Sequence, residues 1–116
     1  MISTIFVESN EEGTLLVFKS REHAESYLEP MDVRDGVYPR AYDATGRLFQ
    51  LVVNPPKGFC GVERTALKEV GDGTRRPEEL QRKLVDTLTK LGVDLEWLSK
   101  AGNSELIQEA LKFAVP

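Results

Sequence analysis

The sequence has very few of the residues that build redox, metal and disulfide sites. Cys60 is the only cysteine of the 116 residues, and His23 is the only histidine. One cysteine excludes an intrachain disulfide and favours a reducing compartment, so we expect a cytoplasmic protein. A usual zinc site needs three or four ligands, and a histidine base needs an orienting partner and a nucleophile within reach. We therefore expect no metal, no cofactor and no catalytic residue, and predict that the protein is not an enzyme.

Long apolar runs and known nucleotide-binding motifs are also missing. The longest apolar runs span three or four residues, and the first eight residues lack the basic start and long apolar core of a signal peptide. The loop 71–76 contains two glycines and two arginines but neither the P-loop nor the Gly-x-Gly-x-x-Gly spacing. We expect neither export nor membrane insertion, and no phosphate site.

Basic residues are scarce in the first third of the chain. Residues 1–43 contain nine acidic and four basic side chains, a net charge of −5, whereas residues 44–116 contain ten acidic and eleven basic ones. The formal net charge of −4 therefore arises in the first third. An acidic surface repels nucleic acid and anionic membranes, and it accelerates association with a basic partner. We expect a basic protein partner, no nucleic acid and no membrane.

The pattern in the first 53 residues predicts strands around one helix. Segments 2–8 and 14–18 are rich in β-formers and flank a turn, which predicts a hairpin. Ser20 is typical of a helix N-cap, and Pro30 is expected to end that helix. Beyond it, extended segments are predicted at 31–33, 37–42 and 47–53, separated by turns at 34–36 and 43–46.

The second half changes to helices after one ambiguous segment. Residues 59–70 fit a further strand with Val62, Ala66 and Leu67 inward, although a bulge or a short helix would fit as well. Helices are predicted from Pro77 to Gly92, after Asp94 and after residue 103. The stripe on the first of them consists of Leu80, Leu84, Leu88 and Leu91. We predict one α+β domain over residues 1–116, with a mainly antiparallel sheet, one short N-terminal helix and a C-terminal cluster of about three helices.

All three tyrosines lie in the acidic segment, and a tyrosine beside carboxylates suits a surface that contacts basic protein. Tyr38 and Tyr42 have the same parity along one predicted strand, so we expect them to share a sheet face, which could be a partner-binding face or core. The predicted partner-binding residues are Glu25, Tyr27, Glu29, Asp32, Asp35, Tyr38, Tyr42 and Asp43.

Residues 20–51 resemble segments of small bacterial immunity proteins from polymorphic toxin and contact-dependent inhibition systems. The resemblance lies in a short helix ending Tyr-Leu-Glu-Pro at residues 27–30, then Asp32-Val33 and Asp35-Gly36, then the stretch 41–46. It implies a short, cytoplasmic, catalytically silent protein that binds and blocks one cognate toxin. Because such proteins have many unrelated folds, the resemblance implies no particular fold and no defined set of binding residues.

Two alternatives remain at this point. The first is a small enzyme or ligand-binding domain with a carboxylate and arginine pocket, using for instance Asp32, Asp43, Arg40 and Arg47. The second is a structural subunit that forms a homo-oligomer through its C-terminal helices, with Leu95, Trp97, Leu98, Leu106 and Leu111.

Overall fold

A computed structural model describes residues 4–56 and 61–116 of the chain. The described strands are β1 (Ile5–Glu8), β2 (Leu15–Phe18), β3 (Ala41–Asp43), β4 (Leu48–Asn54) and β5 (Arg64–Glu69). The described helices are α1 (Arg21–Tyr27), α2 (Pro30–Arg34), α3 (Pro77–Lys90), α4 (Leu95–Lys100) and α5 (Asn103–Leu111). The predicted α+β class is confirmed.

The five strands form one antiparallel sheet in the order β2-β1-β3-β4-β5. Side chains alternate between its two faces, because successive residues of a strand point in opposite directions. Phe6, Tyr42 and Leu48 pack towards α3, α4 and α5 on one face. Val7 and Phe49 pack towards α1 on the other face. The sheet is therefore a central layer with helices on both sides.

The helix α2 replaces the extended segment predicted at residues 31–33. Pro30 does not end the preceding helix; it is the first residue of α2, a position where its missing N–H costs nothing. Asp32 in the first turn and Arg34 in the last turn complement the helix dipole. Asp35 is the C-cap of α2, and Gly36 follows it with a φ of 74°. The predicted turn at 34–36 is therefore the end of this helix.

One strand prediction needs correction, and the ambiguous segment that follows contains a strand. The strand predicted at 37–42 is the short β3, which begins only after Pro39, a residue that cannot donate to a strand ladder. The segment predicted at 59–70 includes β5, in which Leu67 is buried, but Val62 lies before the strand and is 64% exposed. Cys60 lies outside the described residues.

The three C-terminal helices agree with the sequence prediction. Leu80, Leu84 and Leu88 of α3 are buried, whereas Leu91 follows the helix and is exposed. The carboxylate of Asp94 accepts a hydrogen bond from the backbone N–H of Glu96 and caps α4. The helix α5 buries Leu106, Ile107 and Ala110.

Other parts of the chain bind backbone groups on both edge strands of the sheet. At β2, Thr87 Oγ1 accepts from the backbone N–H of Leu15, and the N–H of Val115 donates to the carbonyl of Val17. At β5, side chains of α1 bind the backbone of Leu67, as described below. Occupied backbone groups limit the addition of a strand from another protein. Within the described residues, no helix combines the length and the apolar character needed to cross a membrane.

Candidate protein-binding surface

An acidic, partly aromatic surface is formed by α1, α2 and the turn that joins β1 to β2. We define the acidic surface as Glu11, Tyr27, Glu29, Met31, Asp32, Asp35 and Tyr38. Tyr27 is 50% exposed and Met31 is 68% exposed. The acidic surface thus places an accessible tyrosine and methionine, residue types that are enriched at protein interfaces, beside carboxylates.

Three carboxylates of the acidic surface act on the hydroxyl of Tyr38. Burial raises the pKa of the Tyr38 hydroxyl above its ordinary value, and the negative charges of Asp32, Glu11 and Glu29 raise the same pKa further. These three carboxylates come from α2, the β1–β2 turn and the residue before α2. Their shared effect on the pKa of one hydroxyl indicates that the three carboxylates lie near Tyr38.

Two hydrogen bonds bring the β1–β2 turn to α2. The backbone N–H of Asn10 donates to the carbonyl of Val37 at 2.8 Å, and its side-chain amide donates to the carbonyl of Gly36 at 3.0 Å. This contact places Glu11 beside the end of α2, where Asp35 is exposed. Glu11 therefore belongs to the acidic surface, although it is not among the predicted partner-binding residues.

The carboxylates of the acidic surface are not neutralised within the described residues. Glu11, Glu29, Asp32 and Asp35 make no ion pair there, and none of them is bound to a described side chain. The nearby cation Arg34 pairs with Glu63 instead. Unpaired like charges produce a negative potential that attracts cationic partners.

Glu25, one of the predicted contact residues, has a structural role. Its Oε2 accepts the backbone N–H of Leu67 at 2.7 Å and lies 3.5 Å from Nε of Arg21. The Arg21 guanidinium donates to the carbonyl of Leu67. Arg21 and Glu25 together bind the carbonyl and the N–H of Leu67 on the edge strand β5. The carboxylate of Glu25 therefore has a structural role.

Asp43 likewise belongs to the local structure of a turn. Its Oδ1 accepts from the backbone N–H of Thr45 at 2.8 Å, from the Thr45 hydroxyl at 2.6 Å and from the N–H of Arg47 at 3.0 Å. These bonds hold the β3–β4 hairpin, as an aspartate at the start of a turn commonly does. Asp43 is outside the acidic surface.

Tyr42 is a core residue, which corrects its placement on a contact surface. Its side chain is fully buried on the α3 face of the sheet, whereas Tyr38 packs against the core on the α1 face. The two tyrosines therefore do not share a face. Burial raises the pKa of Tyr42 to about 12, although the guanidinium of Arg40 acts in the opposite direction. Its hydroxyl makes no hydrogen bond of good geometry with the described residues.

A charged cluster next to Tyr42 was not predicted. Arg40 Nη1 lies 3.1 Å from Oε1 of Glu79, and Lys83 Nζ lies 3.1 Å from Oε2 of Glu8. Arg40 Nε is 3.8 Å from the same Glu8 oxygen. The charges of the two cations and the two carboxylates cancel. The cluster therefore joins β1 and β3 to α3 without adding net charge. No local sequence signal identifies it, because its members are far apart in the chain.

The four residues of the carboxylate and arginine alternative do not converge. Arg40 belongs to the charged cluster, Asp43 to the hairpin turn and Asp32 to α2. Arg47 Nη1 binds Glu69 Oε1 at 2.7 Å. Three cavities, of about 220, 380 and 350 Å³, have none of these four residues in their linings.

A groove of about 380 Å³ borders the acidic surface. It lies between the end of α1, the start of α2 and the first residues of β5, and it is lined in part by Glu22, Leu28, Glu29, Pro30 and Val62. A cavity of about 220 Å³ lies elsewhere, between the β1–β2 turn and α3. The groove is the only one of these that includes a residue of the acidic surface.

His23 and the other potential ligands form no metal site within the described residues. The His23 ring packs edge-on against Phe18, with centroids 5.6 Å apart, and lies 6.4 Å from the ring of Tyr27. It is therefore half-buried rather than fully solvated. Its neighbours are aromatic, which gives it a packing role beside the acidic surface.

At the helical end of the molecule, apolar residues are divided between core and surface. Leu98 and Leu106 are buried, whereas Leu95 is 63% and Trp97 36% exposed. Leu98 and Leu106 therefore belong to the core of this chain and are not available to a second copy.

The comparisons with known proteins give no relative. No protein-family model, no curated protein and no solved structure matches this chain.

Proposed function

We propose that this protein acts by binding a basic protein partner on the acidic surface, and not by catalysis. The observation that carries the proposal is the set of unpaired carboxylates around Tyr38, beside the exposed side chains of Tyr27 and Met31. The carboxylates would steer a basic partner and raise the association rate roughly 10- to 1,000-fold. The aromatic and apolar side chains would supply contact area.

Toxin neutralisation is the specific activity that we propose for this binding. The segment that resembles bacterial immunity proteins, residues 20–51, contains α1, α2 and most of the acidic surface. A toxin that cleaves nucleic acid needs a basic face to hold phosphate, and an acidic protein can cover such a face. The proposed mechanism is occlusion of the active face of a cognate toxin in the bacterial cytoplasm.

The occupied backbone groups on both edge strands favour a partner that binds through side chains and not by strand addition. Strand addition requires free backbone groups on an edge strand. On β5 the N–H and C=O of Leu67 are occupied by Glu25 and Arg21, and on β2 the C=O of Val17 is occupied by Val115. A partner would therefore bind through the side chains of the acidic surface.

The test is affinity capture from the native host with three forms of the protein. The first is the wild type, and the second neutralises three members of the acidic surface, Glu29→Gln, Asp32→Asn and Asp35→Asn. The third makes the same change in charge at exposed positions in the helical half or the loop before it, Asp72→Asn, Glu78→Gln and Glu96→Gln. Mass spectrometry identifies the captured proteins.

We expect the wild type and the helical-half variant to capture one basic protein that the second form does not. A toxin gene adjacent to the gene of this protein would identify that partner as the cognate toxin. Equal capture by all three forms, or loss only with the helical-half variant, would refute binding through the acidic surface.

A further inference from the structure

We propose that the groove beside the acidic surface is the binding site for an arginine side chain of the protein partner. This inference rests on the proposed function and adds the contact that anchors the partner. Leu28, Pro30 and Val62 supply an apolar lining, and Val62 is 64% exposed in a position where a partner could cover it. The groove has a volume of about 380 Å³ and is open to solvent.

The carboxylates that line the groove determine which side chain of a partner would fit it. Four carboxylates line the groove, and two of them, Glu25 and Glu63, are already paired with Arg21 and Arg34. Glu22 and Glu29 have no ion pair within the described residues. An occupant should therefore be apolar along its length and cationic at its tip.

One cation, Arg64 at the first residue of β5, also lines the groove. Thr65 and Leu67 face α1, where Thr65 Oγ1 donates to the carbonyl of Leu28 at 2.7 Å. Two carboxylates without an ion pair in the described part of the chain, Glu22 and Glu29, against one arginine leave the lining with a net negative charge.

Arginine matches these features better than lysine. Its stem packs on apolar surface, and its planar guanidinium can bind two carboxylates through several N–H groups at once. Arginine is also among the residues that contribute most to binding energy at protein interfaces. We assign the stem to the lining formed by Leu28, Pro30 and Val62, and the guanidinium to Glu22 and Glu29.

The test uses a blocked Gly-Arg-Gly peptide as the probe, titrated into the isotope-labelled full chain and followed by the chemical shifts of backbone amides. We expect saturable shifts confined to residues 22–30 and 62–65. The same peptide with citrulline, which keeps the shape of arginine but has no charge, should give no saturable shift. A lysine peptide should bind more weakly than the arginine peptide.

Matched variants separate the groove from the rest of the acidic surface. Glu22→Gln and Glu29→Gln should each weaken peptide binding about twofold to fivefold, whereas Asp35→Asn, which lies outside the groove, should leave it unchanged. Equal binding of the citrulline peptide, no saturable shift, or equal weakening by all three variants would overturn the inference. A form carrying only Asp32→Asn and Asp35→Asn separates the two proposals: if the groove fails the peptide test while this form still loses capture, the proposed function stands without this anchor.

Discussion

The role of Glu25 can be decided by its effect on stability. Its place in the acidic segment of the sequence predicts a contact residue, whereas in the structure its carboxylate binds the backbone of the edge strand β5. The variant Glu25→Ala removes the acceptor for the Leu67 N–H and leaves that N–H, on a residue only 2% exposed, without a partner. We therefore expect a loss of folding stability.

The size of the loss follows from the bonds that are removed. A hydrogen bond to a charged group contributes roughly 1.5–3 kcal/mol, and the half-exposed pair with Arg21 adds at most about 1 kcal/mol. Because Glu25 is partly accessible to water, which can replace some of these bonds, we expect about 2 kcal/mol for Glu25→Ala. Glu25→Gln keeps an acceptor oxygen and should lose about half as much.

Urea unfolding measures these differences, and Glu29→Ala is the matched control. Glu29 is exposed and makes no capping hydrogen bond at the start of α2, so its substitution should change stability by less than about 0.5 kcal/mol. If Glu25→Ala and Glu29→Ala have the same small effect, the carboxylate of Glu25 does not hold β5, and the residue returns to the set of candidate contacts.

Two further predictions concern the opposite face of the sheet. The pKa of Tyr42, about 12 against an ordinary 10.0, means that folding favours its neutral form. The contribution of Tyr42 to the free energy of unfolding should therefore be fully present below about pH 10. It should fall by up to about 3 kcal/mol as the pH rises to about 12. Urea unfolding on either side of pH 10 should show that Tyr42→Phe loses this part of the decrease; an unchanged decrease would contradict the assignment. Gly46 has φ of 84°, and a Cβ there would lie 2.6 Å from Cα of Pro77. Thermal unfolding should show Gly46→Ala losing at least about 2 kcal/mol more than Gly36→Ala, which has a similar φ and open space, and equal losses would contradict the close approach.

Elements with strong local signals could be predicted from the sequence. The first hairpin follows from two runs of β-formers around a turn, and α3 from its leucine spacing and Pro77. The sequence does not distinguish the helix α2 although its signals are local, because Pro30 fits the end of one helix as well as the start of the next. A helix of five residues is too short to show the apolar periodicity that would identify it in the sequence.

The members of the acidic surface could be predicted only in part. An acidic segment is visible in the sequence, but the sequence does not show which carboxylates have partners. Glu25 is bound to Leu67, 42 residues away, and Tyr42 is buried by helices that follow it by more than 30 residues. Asp43 was the exception, since its turn with Gly46 is local and its structural role could have been inferred.

The most direct test of binding through the acidic surface is the association rate with the captured partner, measured by stopped flow at about 0.05 M and about 0.5 M salt. We predict that the rate for the wild type falls at least about tenfold as salt rises, and that neutralising Glu29, Asp32 and Asp35 removes most of this dependence. A wild-type rate that is insensitive to salt, or an unchanged dependence in the neutralised form, would contradict the account.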